Sequence, residues 1–154
     1  MKNTSPIVVI EDDRDDQELL TEVFEELGYP NKIIFFNDGE EALAYLTRTD
    51  AVPFLILSDI NMPKVNGFEL REKIRTDEKL EMKCIPYLFF TTASSQKAII
   101  DAYSSSAQGF FIKQNTYREV KEVIDAIMKY WLKCSSPNNV ENPNLATELE
   151  SAAA

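Results

Sequence analysis

Short apolar runs alternate with amphipathic stretches along most of this chain. The runs are three or four residues long and rich in β-branched and aromatic residues, as is typical of strands buried on both faces. These runs occupy residues 7–10, 33–36, 54–57, 87–90 and 110–112. Apolar residues with helical spacing follow each of them, at 15–27, 40–46, 67–75 and 96–103, and in a long last helix that opens at 116 and ends near 133.

Five consecutive strand–helix units predict an α/β fold with a doubly wound parallel sheet and helices on both faces. Such sheets bind ligands beyond the carboxyl ends of their strands. The polar residues that follow each apolar run are therefore the candidates for function.

The charge balance limits the choice of partners. The chain of 154 residues has a formal net charge of -10, while 44% of its residues are hydrophobic. These values predict one globular domain with an acidic surface. Such a surface repels nucleic-acid phosphates and anionic lipid, so we expect neither nucleic acid nor a membrane as a direct partner.

The sequence has no histidine, which excludes histidine-based catalytic triads and histidine-ligated metals. Two cysteines, Cys84 and Cys134, are too few for a disulfide framework and fit a reducing compartment. The first residues lack the apolar segment of a signal peptide. A cytoplasmic location is the expectation.

The composition changes after Cys134, where a Ser-, Asn- and Pro-rich stretch begins. We therefore predict an N-terminal tail at 1–5, a domain at 6–134 and a C-terminal tail at 135–154. The last tail is expected to be flexible or to contain one short helix between Asn142 and Leu149.

Reactive side chains follow four of the five apolar runs. They are Glu11-Asp12-Asp13, Asp59, Thr91 and Lys113. Crowded carboxylates repel one another, and a hard cation such as Mg²⁺ relieves that repulsion. An aspartate beside a cation and a lysine can attack phosphorus, while the lysine and a hydroxyl stabilise the charge that develops on the phosphoryl oxygens.

Each residue also has an ordinary structural explanation when it is taken alone. An aspartate after a strand often caps a helix, and a single lysine is usually solvated. The four positions together favour the functional interpretation. Asp15 and Asp16 keep the ordinary one, as acids of the first helical turn that complement the helix dipole.

Five segments resemble the receiver domains of bacterial two-component response regulators. They are residues 8–13, 57–63, 66–70, 90–93 and 109–113, with the sequences VVIEDD, LSDINMP, NGFEL, FTTA and GFFIK. The resemblance covers about residues 6–134, and it is strongest to single-domain receivers that accompany phytochrome-like and hybrid sensor kinases. It implies a flavodoxin-like sheet with strand order 2-1-3-4-5.

The resemblance also implies a site. Asp59 takes the place of the phosphoacceptor, Asp12 and Asp13 those of the acidic Mg²⁺ ligands, and Asn61 that of the residue whose backbone carbonyl binds the metal.

Three further positions carry family roles. Thr91 matches the switch hydroxyl, Lys113 the phosphate-pairing lysine and Phe110 the switch aromatic residue. One position departs from the pattern, because Gln114 replaces the proline that commonly follows the lysine with a cis peptide bond. A non-proline cis bond costs about 3–4 kcal/mol, so we expect a trans bond here.

The implied function is a phosphoacceptor switch rather than an enzyme, with catalysis limited to its own phosphotransfer and slow autodephosphorylation. The implied partners are a sensor histidine kinase or a histidine phosphotransfer protein, together with a downstream protein that the sequence does not identify. Homodimer formation is left open.

Two alternatives compete with this interpretation. An aspartyl-phosphate phosphatase also begins with an aspartate at a strand end, but it needs a second acid two residues later, where this chain has Asn61. An inert interaction module would not need the four reactive positions that this chain retains.

Overall fold

A computed structural model describes residues 4–137 and confirms the predicted alternation of strands and helices. The strands are β1 Ile7–Ile10, β2 Ile33–Phe36, β3 Leu55–Ser58, β4 Tyr87–Thr91 and β5 Gly109–Ile112. The helices are α1 Arg14–Leu27, α2 Gly39–Leu46, α3 Gly67–Thr76, α4 Glu78–Met82, α5 Gln96–Ser104 and α6 Tyr117–Lys133. All strand pairs are parallel, and the order is β2-β1-β3-β4-β5, as the family resemblance implied.

Helices cover both faces of the sheet, so the hydrophobic core has two halves. Alternate residues of β1 point to opposite faces: Ile7 and Val9 pack with α1 and α6, whereas Val8 and Ile10 pack with α2, α3 and α5. This arrangement explains the unbroken apolar run, because every side chain of a central strand meets a helix layer.

The edge strand β2 is less buried than its sequence suggests. Its residues are all half-buried, although the apolar run at 33–36 is typical of a strand buried on both faces. A strand at the edge of a sheet has a neighbour on one side only, so Phe35 and Phe36 pack against the core from its border.

One helix was not predicted. Helix α4 has five residues, and only Leu80 among them is buried. A single turn with one apolar contact gives no periodic pattern, so the sequence could not separate it from a loop.

The last helix ends at Lys133, close to the predicted limit of the domain. Most of the predicted C-terminal tail, including the short helix proposed between Asn142 and Leu149, lies outside the described residues. Within residues 4–137, every helix is too short or too polar to cross a bilayer. The cytoplasmic location remains a prediction.

Candidate functional site

The predicted residues meet at the carboxyl ends of the central strands. Glu11 directly follows β1, Asp59 follows β3, Thr91 ends β4 and Lys113 follows β5. The parallel register aligns these ends, because Ile10 lies beside Ser58 and Thr91 lies beside Ile112. The sheet topology therefore brings together groups that lie far apart in the sequence.

Lys113 lies at the centre of this group. Its Nζ forms ion pairs with Asp59 Oδ2 at 3.1 Å, with Asp16 Oδ2 at 3.0 Å and with the carboxylate of Glu11. The lysine side chain is 9% exposed and that of Glu11 is 3% exposed. An ammonium group has three N–H donors, and each of these three carboxylates can accept one of them.

The electrostatics of the pair follow from burial and charge. Burial raises the pKa of Glu11 to about 7, although the hydrogen bond and the charge of Lys113 act in the opposite direction. Burial alone would lower the pKa of Lys113, but Glu11, Asp59 and Asp16 together hold it above its usual value. Lys113 thus contacts three carboxylates but carries a single positive charge.

Three carboxylates fit a hard cation. Among residues 4–137, one oxygen from each of Glu11, Asp12 and Asp59 can be chosen so that all three lie within 4.8 Å of one another. Oxygen donors in this number suit Mg²⁺, which keeps several of its waters. Asp12 is exposed, so a hydrated ion can reach the group from solvent.

The structure does not bring Asp13 into this group, although the sequence analysis assigned it as a ligand. Asp13 is the N-cap of α1, and its Oδ1 accepts the backbone N–H of Asp16 at 3.1 Å. Its side chain satisfies a helix donor that would otherwise lack a partner. Glu11, the acid directly after β1, lies in the three-carboxylate group instead.

Asp16 is the residue that sequence reasoning missed. It was assigned to the helix dipole, whereas the structure pairs its carboxylate with Lys113. The spacing of Asp13 and Asp16 places Asp16 in the first turn of α1, but it gives no sign of the contact with Lys113.

Asp59 is held by backbone contacts. Its N–H donates to Ile10 O at 3.0 Å, and its Oδ1 accepts the N–H of Ile60 at 2.7 Å. The start of α3 packs directly on this segment, since a Cβ added to Gly67 would lie 2.2 Å from Asp59 O. The position of the carboxylate is therefore set by the sheet and by α3.

The remaining predicted residues lie at the end of β4, on β5 and in the loop after β3. Thr91 is fully buried, and its Oγ1 accepts the N–H of Ala93 at 3.2 Å. Phe110 is half-buried, with its ring centre 6.2 Å from that of Phe89. Asn61 lies exposed in the loop after Asp59.

The peptide bond after Lys113 is trans, as expected from Gln114. The structure has no cis peptide bond within residues 4–137. The Gln114 side chain donates to Ile112 O at 3.0 Å. The lysine reaches Asp59 without the proline that commonly follows it.

The sequence profile of the response regulator receiver domain matches residues 7–125. A probable methanogenesis regulatory protein of Methanothrix harundinacea, FilR2, is 32% identical over 130 residues, which cover 82% of this chain and 83% of that protein.

Solved structures give the same result. The phosphorylated cyanobacterial phytochrome response regulator RcpA has a TM-score of 0.78 and 26% identity, covering 87% of this chain and 98% of that one. The Mn²⁺-bound form of response regulator Rcp1 has a TM-score of 0.75 and 26% identity, covering 86% of this chain and 97% of that one.

Proposed function

The chain belongs to the response regulator receiver domain family, whose members are phosphoacceptors of two-component signalling, and we propose that Asp59 is its phosphoacceptor. The observation that carries this proposal is the contact between Asp59 and Lys113 beside the three-carboxylate group. We assign the receiver domain to residues 6–134.

Phosphotransfer at this site needs a nucleophile and a charge partner. A carboxylate oxygen of Asp59 forms a bond to phosphorus while the bond from phosphorus to the donor group breaks, and the donor keeps the electron pair. Lys113 pairs with the charge on the transferred phosphoryl oxygens, and the hydroxyl of Thr91 donates a hydrogen bond to one of them.

Mg²⁺ fits the donor set, with Glu11, Asp12, Asp59 and the backbone carbonyl of Asn61 as its ligands. When bound, it would neutralise carboxylate charge and polarise the phosphoryl oxygens. This ligand set keeps Asp12, Asp59 and Asn61 from the sequence prediction and replaces Asp13 by Glu11.

The donor would be a sensor histidine kinase or a histidine phosphotransfer protein. The readout would be an altered contact with a downstream protein. Thr91 and Phe110 connect the site to that readout, because a hydroxyl drawn toward the phosphoryl group leaves space beside β4. Phe110 can move into this space without needing a hydrogen-bond partner, since phenylalanine has no hydroxyl.

We infer that the phosphorylated state decays slowly without a catalytic base. Two side chains are expected to border the path of the attacking water, Asn61 after Asp59 and Ala93 after Thr91. An amide cannot act as a base at neutral pH and a methyl group cannot orient water, so this decay is uncatalysed apart from the charge stabilisation at the site.

The test is phosphorylation by acetyl phosphate with Mg²⁺, followed by intact mass. We expect a single phosphoryl group on the native chain and none on Asp59→Asn. Asp101→Asn is the control, because Asp101 pairs with Lys97 on the exposed side of α5. Labelling of Asp59→Asn at the native rate would contradict the assignment, and steady turnover of a phosphomonoester would favour the phosphatase alternative.

A further inference from the structure

The three partners of Lys113 are not equivalent. Glu11 and Asp59 belong both to the ion pairs of the lysine and to the group that can hold a cation. Asp16 contacts the lysine but is not part of the cation group. A cation that binds to these carboxylates therefore competes with Lys113 for two of its three partners.

We propose that Asp16 is a positioning residue for phosphotransfer, the partner that holds the Lys113 ammonium in place while the other two carboxylates are engaged. The proposal rests on the phosphoacceptor function proposed above. Phosphorylation changes Asp59 from a free carboxylate into an acyl phosphate, so one acceptor of Lys113 is replaced by a phosphoryl oxygen. In the same step, a bound cation is coordinated by the carboxylate of Glu11. The bond to Asp16 persists through both changes.

The local structure fits Asp16 for this role. It is the third residue of α1, and its N–H is bonded to the N-cap Asp13. Its backbone position is therefore set by the helix and its cap, and it does not depend on the loops after β3 or β4. Its side chain is 35% exposed, whereas the lysine that it holds is 9% exposed.

The neighbouring Asp15 provides a matched comparison. It carries the same charge in the same first turn of α1, but its side chain is exposed and it is not among the partners of Lys113. Both aspartates interact with the helix dipole to a similar degree. A difference between the two alanine variants therefore reports the contact with Lys113 rather than the net charge.

The experiment compares Asp16→Ala with Asp15→Ala at saturating acetyl phosphate and Mg²⁺. Without Asp16, the ammonium samples positions away from the phosphoryl group, so transition-state stabilisation falls. We expect the maximal rate to drop by about threefold to tenfold relative to Asp15→Ala. The donor concentration at half-maximal rate should stay the same, because ground-state binding of the donor does not depend on Asp16.

A double-mutant cycle separates positioning from a general effect on folding. In a Lys113→Gln background, Asp16→Ala should change the rate no further, because the group that it positions is gone. Urea unfolding of all variants checks that each is folded. Asp16→Asn keeps an oxygen that can accept from the ammonium, and it should recover part of the rate.

Two results would overturn the inference. One is an equal rate for Asp16→Ala and Asp15→Ala. The other is an undiminished effect of Asp16→Ala in the Lys113→Gln background. Both leave the proposed function intact, as long as the native chain is labelled and Asp59→Asn is not. If Asp59→Asn is labelled as fast as the native chain, the proposed function fails independently of Asp16.

Discussion

Two lysines at opposite ends of the sheet are each bonded to three oxygen acceptors. Lys113, at the carboxyl ends of the strands, pairs with three carboxylates. Lys83, at the amino ends, donates to the backbone carbonyls of Leu46, Arg48 and Ala51 at 2.8, 2.8 and 2.7 Å. We expect Lys113, with its carboxylate acceptors, to act in the switch. We expect Lys83, with its carbonyl acceptors, to stabilise the fold.

The two environments shift the pKa of lysine in opposite directions. Burial lowers the pKa of Lys83, and the charges of Asp50 and Asp77 only partly offset this effect. At Lys113 the same desolvation is outweighed by the bonded carboxylates, so its pKa is raised. Carbonyl dipoles carry no net charge, whereas carboxylates stabilise the ammonium by full Coulomb attraction.

The acceptors of the two lysines also differ in whether they can bind another group in place of the lysine. The carbonyls bonded to Lys83 belong to the end of α2 and the loop before β3, so their positions are set by the backbone. The carboxylates bonded to Lys113 are side chains, two of which, Glu11 and Asp59, also belong to the group that could hold a cation. We therefore expect mutations at Lys113 to alter chemistry and mutations at Lys83 to alter stability.

The largest expected effect is that of Lys113→Gln on phosphorylation. Losing one charged donor to the transition state should lower the rate with acetyl phosphate by about a hundredfold. Mg²⁺ binding should become tighter, because a competing positive charge has left the carboxylates. Stopped-flow labelling and calorimetry give the two values. Lys97→Gln, at an exposed lysine of α5, is the control. Weaker Mg²⁺ binding in Lys113→Gln would contradict the view that the lysine and the cation share these carboxylates.

The next effect is that of Lys83→Met on stability. Removing the ammonium leaves three carbonyls with water as their only replacement donor, which should lower the free energy of unfolding by about 1–3 kcal/mol. Urea unfolding measures this change. Phosphorylation and Mg²⁺ affinity should remain those of the native chain. A large loss of Mg²⁺ binding with full stability would mean that the two ends of the sheet are not independent.

The smallest effects separate Glu11 from Asp13 within the acidic segment. Glu11→Gln removes a ligand and should weaken Mg²⁺ binding by at least about tenfold, or about 1.4 kcal/mol. Asp13→Ala removes a helix cap and should cost about 1 kcal/mol of stability. Its Mg²⁺ affinity should change by about twofold or less, since an exposed charge is screened by salt. Calorimetry at fixed ionic strength compares the two variants, and the reverse order would restore Asp13 as the ligand.

The sequence predicted the fold well because each central strand is continuously apolar and each long helix has periodic apolar residues. It failed where few residues carry the signal. Helix α4 has one buried side chain, Leu80, and no repeat. The half-burial of Phe35 depends on β2 being an edge strand, which is a property of the whole sheet rather than of the segment.

The sequence predicted that the site lies at the carboxyl ends of the strands, and the structure brings Glu11, Asp59 and Lys113 together there. The sequence alone does not show which of the consecutive acids Glu11, Asp12 and Asp13 face the cation group. That depends on the direction of each side chain between the end of β1 and the start of α1. That direction depends on the cap, which uses Asp13 for the helix backbone. The contact of Asp16 with Lys113 joins two residues 97 positions apart, and no local pattern contains it.

The close approach of Gly67 to Asp59 limits where a reporter group can be attached to this domain. Three contacts fix the position of Gly67, the first residue of α3. Its N–H donates to Ile60 O at 2.9 Å, and its carbonyl accepts from Tyr87 Oη at 2.8 Å. A Cβ added to it would collide with Asp59 O. An inserted peptide or a dye at this junction would displace Asp59 itself. The loop after β4 is the better attachment point, because Ser94 is exposed there and lies three residues beyond Thr91.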